Sequence, residues 1–470
     1  MRQASARVIL ATSNGTGMGH LARQAAVALA LPEAVEPVIF SLSQAVHVVA
    51  RDGLRAEYCP SNQRDWIPHL SWHDYLCRRL TALIAETGAK VVVFDGVSPY
   101  LGLLRARAAH RQVAFCWMRR GMWRPGANRR ALAARPFFDV VVEPGDLAAG
   151  ADRGATADRT DAITVPPVTI LERVLPLPRS EAAKALGLDP DVPTALVTLG
   201  AGAINDAVTP AVAAIRCVLA NPGWQVAVTR APLARTGLPA EQAARVHELL
   251  DIYPLARYLS AFDAAVSAAG YNAVHELIPA GVPTVLVPNA STATDDQQTR
   301  ARALADAGLA LWADEQVPDS IAAAVRTMLD PAARAALSSA GARLPAPTGA
   351  SATAEIVAGL TTDFTGHRAT TVERLRRVDF EARAAAMRAL GPTGTALVRR
   401  ALGRRPPAGP RRPLTVRPLL TDKLDPATLQ GDHPVEHLLA GSSDAYHARR
   451  LAIAHAFYDW GADVSSPTRR

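Results

Sequence analysis

No run in the sequence approaches the roughly 18–20 uncharged apolar residues of a membrane-spanning helix, although 49% of its 470 residues are hydrophobic. The apolar stretch Arg7–Leu10 gives way at once to Gly, Asn and His, too short a core for a secretory leader, so a cytoplasmic protein is expected. Cysteine is scarce: Cys59, Cys77, Cys116 and Cys217 form no C-x-x-C pair and have no partnering His at finger-like spacing. A disulfide framework or zinc site is therefore not expected, and ordinary buried thiols are. No internal repeat of solenoid period is present.

The formal charge of +8 raises the question of nucleic acid, but its distribution argues against it. Residues 361–470 carry about 18 Arg and Lys against about 11 Asp and Glu, so most of the excess lies in the tail. The body is nearly neutral and holds no recognisable nucleic-acid module.

Short β-branched runs alternate with helical spacing in the first third of the chain, the sequence form of a parallel sheet covered by helices. Strands are expected at Arg7–Thr12, Val38–Ser41, Lys90–Asp95, Gln112–Trp117 and, as the last, Asp139–Glu143, with helices at Gly19–Leu31 and Tyr75–Thr87. After a proline-rich stretch from Val165 to Pro178 the pattern restarts. Strands are expected at Thr194–Leu199, Gln225–Thr229, Ala264–Ser267 and Thr284–Pro288, and helices at Ala207–Leu219 and Ala273–Ala280. The reading is α/β: two Rossmann-like, doubly wound domains, residues 1–165 and 179–360, joined by a linker at 166–178 and facing a cleft. Residues 361–470 form an Arg- and Pro-rich, mainly helical extension, with a helix at Thr371–Leu390, a linker at Arg399–Pro418 and a His-bearing helical segment at Pro434–Trp460.

Ligands of such sheets bind beyond the carboxyl ends of the strands, so the loops there carry the candidates. Gly15, Gly17 and Gly19 follow the first strand and open a helix, where a tight turn and unpaired N–H groups suit a negatively charged group. His20 on the first helical turn is poised to take a proton, and Asp95, ending the strand Val91–Phe94, is placed to orient it. The competing readings are an ordinary turn, a structural histidine and a capping aspartate. In the second half, Gly200-Ala201-Gly202 follows a strand. Gly270 begins a helix bearing Asn272 and Glu276, and Asp295-Asp296-Gln297-Gln298 follows the next strand. Helix-start amides can take a diphosphate, a carboxylate can take two hydrogen bonds from a ribose diol, and the Asp and Gln groups can grip sugar hydroxyls.

These second-half residues resemble the donor-binding half of glycosyltransferase family 28, and more distantly the macrolide and plant UDP-sugar transferases. The resemblance spans about residues 5–360 and is strongest in the last hundred. It implies the GT-B fold, a ribose-binding role for Glu276, sugar binding by Asp295, Gln297 and Gln298, and a phosphate-facing role for the loop at Gly200 and Gly202. The first-half loop ending in Gly17, Gly19 and His20 matches the family's Gly-rich loop. The family's Asn-Pro-Val-Arg is replaced by Pro166-Pro167-Val168-Thr169, Ala301 stands where Asn is usual, and the loop before Asp295 is about two residues longer. These departures and the tail point to a relative acting on another acceptor.

The resemblance implies transfer of a hexose-type sugar from a UDP-sugar to a hydroxyl acceptor, inverting and without metal or other cofactor. No Asp-x-Asp element of metal-dependent transferases sits at a strand end. On the acceptor side Trp117, Arg119 and Arg120, continuing through Trp123 and Arg124 to Arg129 and Arg130, mix cations with aromatics. That suits an anionic or lipid-linked acceptor or peripheral membrane contact; equally, the Trp rings pack on the body. Two rivals stay open. Gly17-Met18-Gly19-His20-Leu21-Ala22-Arg23 resembles the Gly-x-Gly-His-x-x-Arg start of some hydrolases of this architecture, giving a nucleotide-sugar hydrolase or epimerase. The other is a non-catalytic sugar-nucleotide-binding partner.

Overall fold

The structure, a computed structural model, describes residues 6–13, 18–51, 53–61, 69–200, 206–230, 237–250 and 252–401. The apolar runs pair as two all-parallel sheets. The first contains β1 (Ala6–Thr12), β2 (Val35–Ser41), β3 (Arg55–Tyr58), β4 (Val91–Asp95), β5 (Ala114–Met118), β6 (Val140–Pro144) and β7 (Ile163–Val165), in the order β3-β2-β1-β4-β5-β6-β7. The second contains β8 (Thr194–Thr198), β9 (Gln225–Arg230), β10 (His247–Leu250), β11 (Ala264–Ala268), β12 (Thr284–Val287) and β13 (Leu311–Trp312), in the order β10-β9-β8-β11-β12-β13. Helices cover both faces, so central strands such as Val91–Phe94 are buried on both sides and read as continuous apolar runs.

In each sheet the winding reverses beside its first strand, between β1 and β4 and between β8 and β11. A crevice opens at such a reversal because the connecting helices leave in opposite directions. All the expected strands form. The structure adds four, β3, β7, β10 and β13, and each is a sheet edge.

The chain does not respect the boundary expected near residue 360. The helix Gly349–Asp363 crosses back and packs on the helix Gly19–Ala30 and against β1, β4, β5 and β7 of the first domain. Its entry is fixed by Glu172, whose carboxylate accepts from the Ala350 and Ser351 amides at 2.8 and 3.0 Å, satisfying orphan donors of the helix start. The helix expected at Thr371–Leu390 runs on to Ala401 and also lies on the first domain, where Phe380 meets Phe137 and Arg105 pairs with Glu381. The linker beyond Ala401 and the segment Pro434–Trp460 lie outside the described residues. Cys59 and Cys116 are buried, and burial pushes both thiols up to about 12, as expected of structural cysteines.

Candidate active site

Thr12, the last residue of β1, stands opposite Asp95, the last of β4, so both strands end at the crevice of the first sheet. The chain leaves β1 and enters the helix Gly19–Ala30 with His20 on its first turn. His20 Nδ1 lies 2.8 Å from Asp95 Oδ1, joining the two candidates. Arg23, on the same helix face, completes the cluster: its Nε donates to Asp95 Oδ2 and its Nη2 to Oδ1, each at 2.9 Å.

Arg23 Nη2 is also 2.7 Å from His20 Nδ1. One ring nitrogen cannot both donate to the carboxylate and accept from the guanidinium. The carboxylate is the charged acceptor for all three groups, so Nδ1 carries the proton and Nε2 keeps the lone pair. Burial lowers the His20 pKa from its usual value, with help from Arg23 and Arg120 and against the pull of Asp95. The imidazole is thus neutral near pH 7. Burial would raise the Asp95 carboxyl, but Arg23 and then His20 outweigh it and hold it below the ordinary range.

The same cluster reaches into the second domain. Arg23 Nη1 donates to Asn272 Oδ1 at 3.1 Å, Asn272 Nδ2 donates to the Gly19 carbonyl at 3.2 Å, and the Arg23 guanidinium lies over the Tyr271 ring. Arg120 also lies over that ring and pairs with Asp295 at 3.1 Å. Asp295 Oδ2 accepts from Gln297 Nε2 at 3.3 Å, and Gln297 adjoins Gly270, the residue before the helix Tyr271–Leu277. Candidates from both halves therefore form one contiguous set across the domain interface.

Their individual states differ from the expectation in several places. Asp295 is paired within the protein: besides Arg120 it binds Arg300 Nη2 at 2.9 Å, and Arg300 in turn grips Asp146 of the first domain at 3.0 Å. Against burial, these two arginines hold Asp295 far below the ordinary carboxylate range. Asp296 caps the helix Gln297–Asp306, accepting from the Thr299 amide and hydroxyl at 3.1 and 2.8 Å, so its oxygens are spent locally. Gln297 uses both ends of its amide, the oxygen accepting from the Asn289 N–H at 3.0 Å. Gln298 differs, because its Oε1 is buried with no hydrogen-bond partner among the described residues.

The Glu276 side chain makes no hydrogen bond or ion pair among the described residues, and burial pushes its carboxyl up to about 8. Gly200, two residues beyond the end of β8, has φ of 85°, the left-handed turn that glycine allows, while Gly15, Gly17 and Gly202 lie outside the described residues.

Of the two acceptor-side readings, the packing of the Trp rings on the body is the one the structure shows. Trp117 belongs to β5 and is fully buried, its Nε1 donating to the Gly96 carbonyl at 2.7 Å; Trp123 is also buried. Arg119 is fully buried too, and pairs with Glu143 and Asp161 at 3.0 Å each. Trp117 lies within β5, and Arg119, just past its end, donates its amide to the Val142 carbonyl at 2.9 Å, which keeps both side chains in the body. Only Arg120 of the expected trio faces the second domain. Sequence reasoning gave no role to Tyr271, His275, Asp146 or Arg300. Tyr271 donates to the Gly145 carbonyl at 2.9 Å and accepts from the Val168 amide, and His275 Nε2 accepts from the Leu147 amide at 3.0 Å. These contacts close the domains on each other.

Two parallel, doubly wound sheets with candidate residues at both reversals define the GT-B fold. Among solved structures, the glycotransferase of kitacinnamycin shares it with a TM-score of 0.53 at 16% identity, covering 76% of this chain and all of that one. Residues 238–352 match the glycosyltransferase family 28 C-terminal domain, and the chain is a member of the GT-B class that resembles that family. Two curated relatives are UDP-N-acetylglucosamine–N-acetylmuramyl-(pentapeptide) pyrophosphoryl-undecaprenol N-acetylglucosamine transferases. That of Phocaeicola vulgatus is 32% identical over 162 residues, covering 33% of this chain and 40% of the relative. That of Clavibacter michiganensis is 32% identical over 250 residues, covering 48% of this chain and 66% of the relative. The chain thus spans less than two thirds of the length of either.

Proposed function

We propose that the protein is a glycosyltransferase that moves a hexose-type sugar from a UDP-sugar to a hydroxyl acceptor with inversion and without a metal. The observation that carries the reading is the contact of the His20–Asp95–Arg23 cluster with the helix bearing Asn272 and Glu276, inside the stretch matched by the family 28 domain. In this reading His20 Nε2 removes the proton of the acceptor hydroxyl as its oxygen attacks the anomeric carbon. The bond to the diphosphate breaks on the opposite face, and UDP leaves with the electron pair. Asp95 keeps the proton on Nδ1 and stabilises the imidazolium that forms. Glu276 takes the ribose hydroxyls, Gln298 offers its unpaired oxygen to the sugar, and loop amides around Gly200 and Gly270 meet the phosphates. The named activity of the two relatives supports a lipid-linked acceptor, and with it contact with a membrane surface.

Arg23 favours one alternative, because it fills the last position of the hydrolase-like start and sits on the base itself. Assays over a panel of UDP-sugars and hydroxyl acceptors separate the two. Transfer requires product that depends on acceptor, with turnover of His20→Ala lower by about 10²–10⁴. Release of free sugar at full rate without acceptor favours the hydrolase, and wild-type turnover by His20→Ala overturns the base assignment.

A further inference from the structure

Five of the nine large hydrophobic side chains exposed among the described residues lie on the helix Thr371–Ala401: Val372, Leu375, Val378, Leu390 and Leu397. At 3.6 residues per turn they fall within about one third of the helix circumference. The opposite face is committed to the body. Glu373 and Ala384 are buried, and His367 bridges Asp139 and Glu373 at 2.7 and 2.6 Å, pinning the first turn. Held by one face, the helix leaves on the other an apolar stripe crossed only by the exposed Asp379–Arg383 ion pair among the described residues.

The surface beside the stripe shows what kind of cover fits it. A recess of about 660 Å³ opens between the segment Arg129–Phe137, the loop carrying Ala155 and Arg159, and the first turns of this helix. Its lining holds Arg129, Arg130, Arg135, Arg159 and Arg376 and no acid. Asp161 engages Arg135, Arg159 and Arg119, whereas the side chains of Arg129, Arg130 and Arg376 make no hydrogen bond or ion pair among the described residues. Leu132, Pro136 and Val372 supply apolar walls, and Val372 belongs to the stripe as well, so cationic recess and apolar stripe are one surface. Unpaired guanidinium groups beside an exposed apolar helix face match a layer with phosphates outside and hydrocarbon beneath.

We propose that this face docks on an anionic phospholipid bilayer, with headgroup phosphates among Arg129, Arg130 and Arg376 and the stripe from Val372 to Leu397 at the acyl boundary. None of these side chains touches His20, Asp95 or Glu276, so the proposal stands or falls apart from the catalytic reading. The full chain is sedimented with phosphatidylcholine vesicles with and without phosphatidylglycerol, at low and high salt. Binding should require phosphatidylglycerol and weaken with salt. Two triple variants, Arg129→Glu/Arg130→Glu/Arg376→Glu and Val372→Ser/Leu375→Ser/Val378→Ser, should each bind roughly tenfold or more weakly while melting like the parent. Equal binding to both vesicles, no binding, or undiminished binding by both variants overturns the proposal. So does a dimer in sedimentation velocity that the serine variant dissolves, which makes a second copy the cover. Release from vesicles by inorganic pyrophosphate, but not by chloride of equal ionic strength, assigns the recess to a soluble anion and also overturns it.

Discussion

A half-buried carboxyl with no side-chain partner costs stability when it ionises, and Glu276 is such a group. Its pKa of about 8 in the folded chain stands above the ordinary 4.5. The folded state therefore holds the proton that the unfolded chain releases, a contribution present below about pH 4.5 and lost as pH rises through about 8. Glu276→Gln keeps the neutral form at every pH. Its melting temperature should exceed that of the parent by a few degrees at pH 8.5, with the gap narrowing towards pH 5. A carboxyl that costs stability where it stands fits a ligand-binding role. If Glu276→Gln melts below the parent at pH 8.5, the carboxylate has a structural partner and the ribose role fails.

At the scale of the element, the close seating of the helix Gly349–Asp363 on the connector is the most exacting contact. A Cβ at Gly349 would lie 2.0 Å from the Pro166 carbonyl oxygen and 2.5 Å from that of Pro167, both backbone atoms. Gly349→Ala should therefore destabilise the protein by about 1–3 kcal/mol in urea unfolding; an unchanged midpoint would contradict this packing. The strands legible in the sequence were those buried on both sides, where Val91–Phe94 or Ala264–Ser267 have no polar alternation to confuse them. The four missed strands, Arg55–Tyr58, Ile163–Val165, His247–Leu250 and Leu311–Trp312, are all edges, short or mixed with charge, which blunts edge pairing and also hides it from periodicity. The site divides in the same way. Pattern singled out His20, Asp95 and Glu276 because each follows or ends a central strand, and the structure brings His20 and Asp95 into contact. The pattern did not show the partners that hold Asp295 and Arg119, because Arg120 and Arg300 on one and Glu143 and Asp161 on the other come from distant positions. Arg23 was visible as the residue three after His20, but no spacing rule shows that its guanidinium would span two domains.

For the whole molecule, closure of the two domains rests on a buried polar seam. His275 is 1% exposed, donates from Nδ1 to the Tyr271 carbonyl at 2.6 Å and accepts at Nε2 from Leu147 of the first domain. Burial lowers its pKa to about 4 despite the nearby Asp146. Protonation turns Nε2 into a donor facing another donor, so stability contributed by this contact is complete above about pH 6.5 and is lost as pH falls towards 4. Hydrogen exchange at the Leu147 amide should accelerate over that window and do so less in His275→Gln; pH-independent protection would contradict the closure described.

The central claim is that the second domain clasps a uridine diphosphate through the ribose. Titration calorimetry with UDP at a series of pH values tests it most directly. The account predicts affinity that climbs from pH 6 and levels above about pH 8, as Glu276 ionises to receive the ribose hydroxyls, and a loss of roughly tenfold or more in Glu276→Ala at pH 8.5. Absence of UDP binding at any pH, or equal affinity in parent and variant, would contradict it.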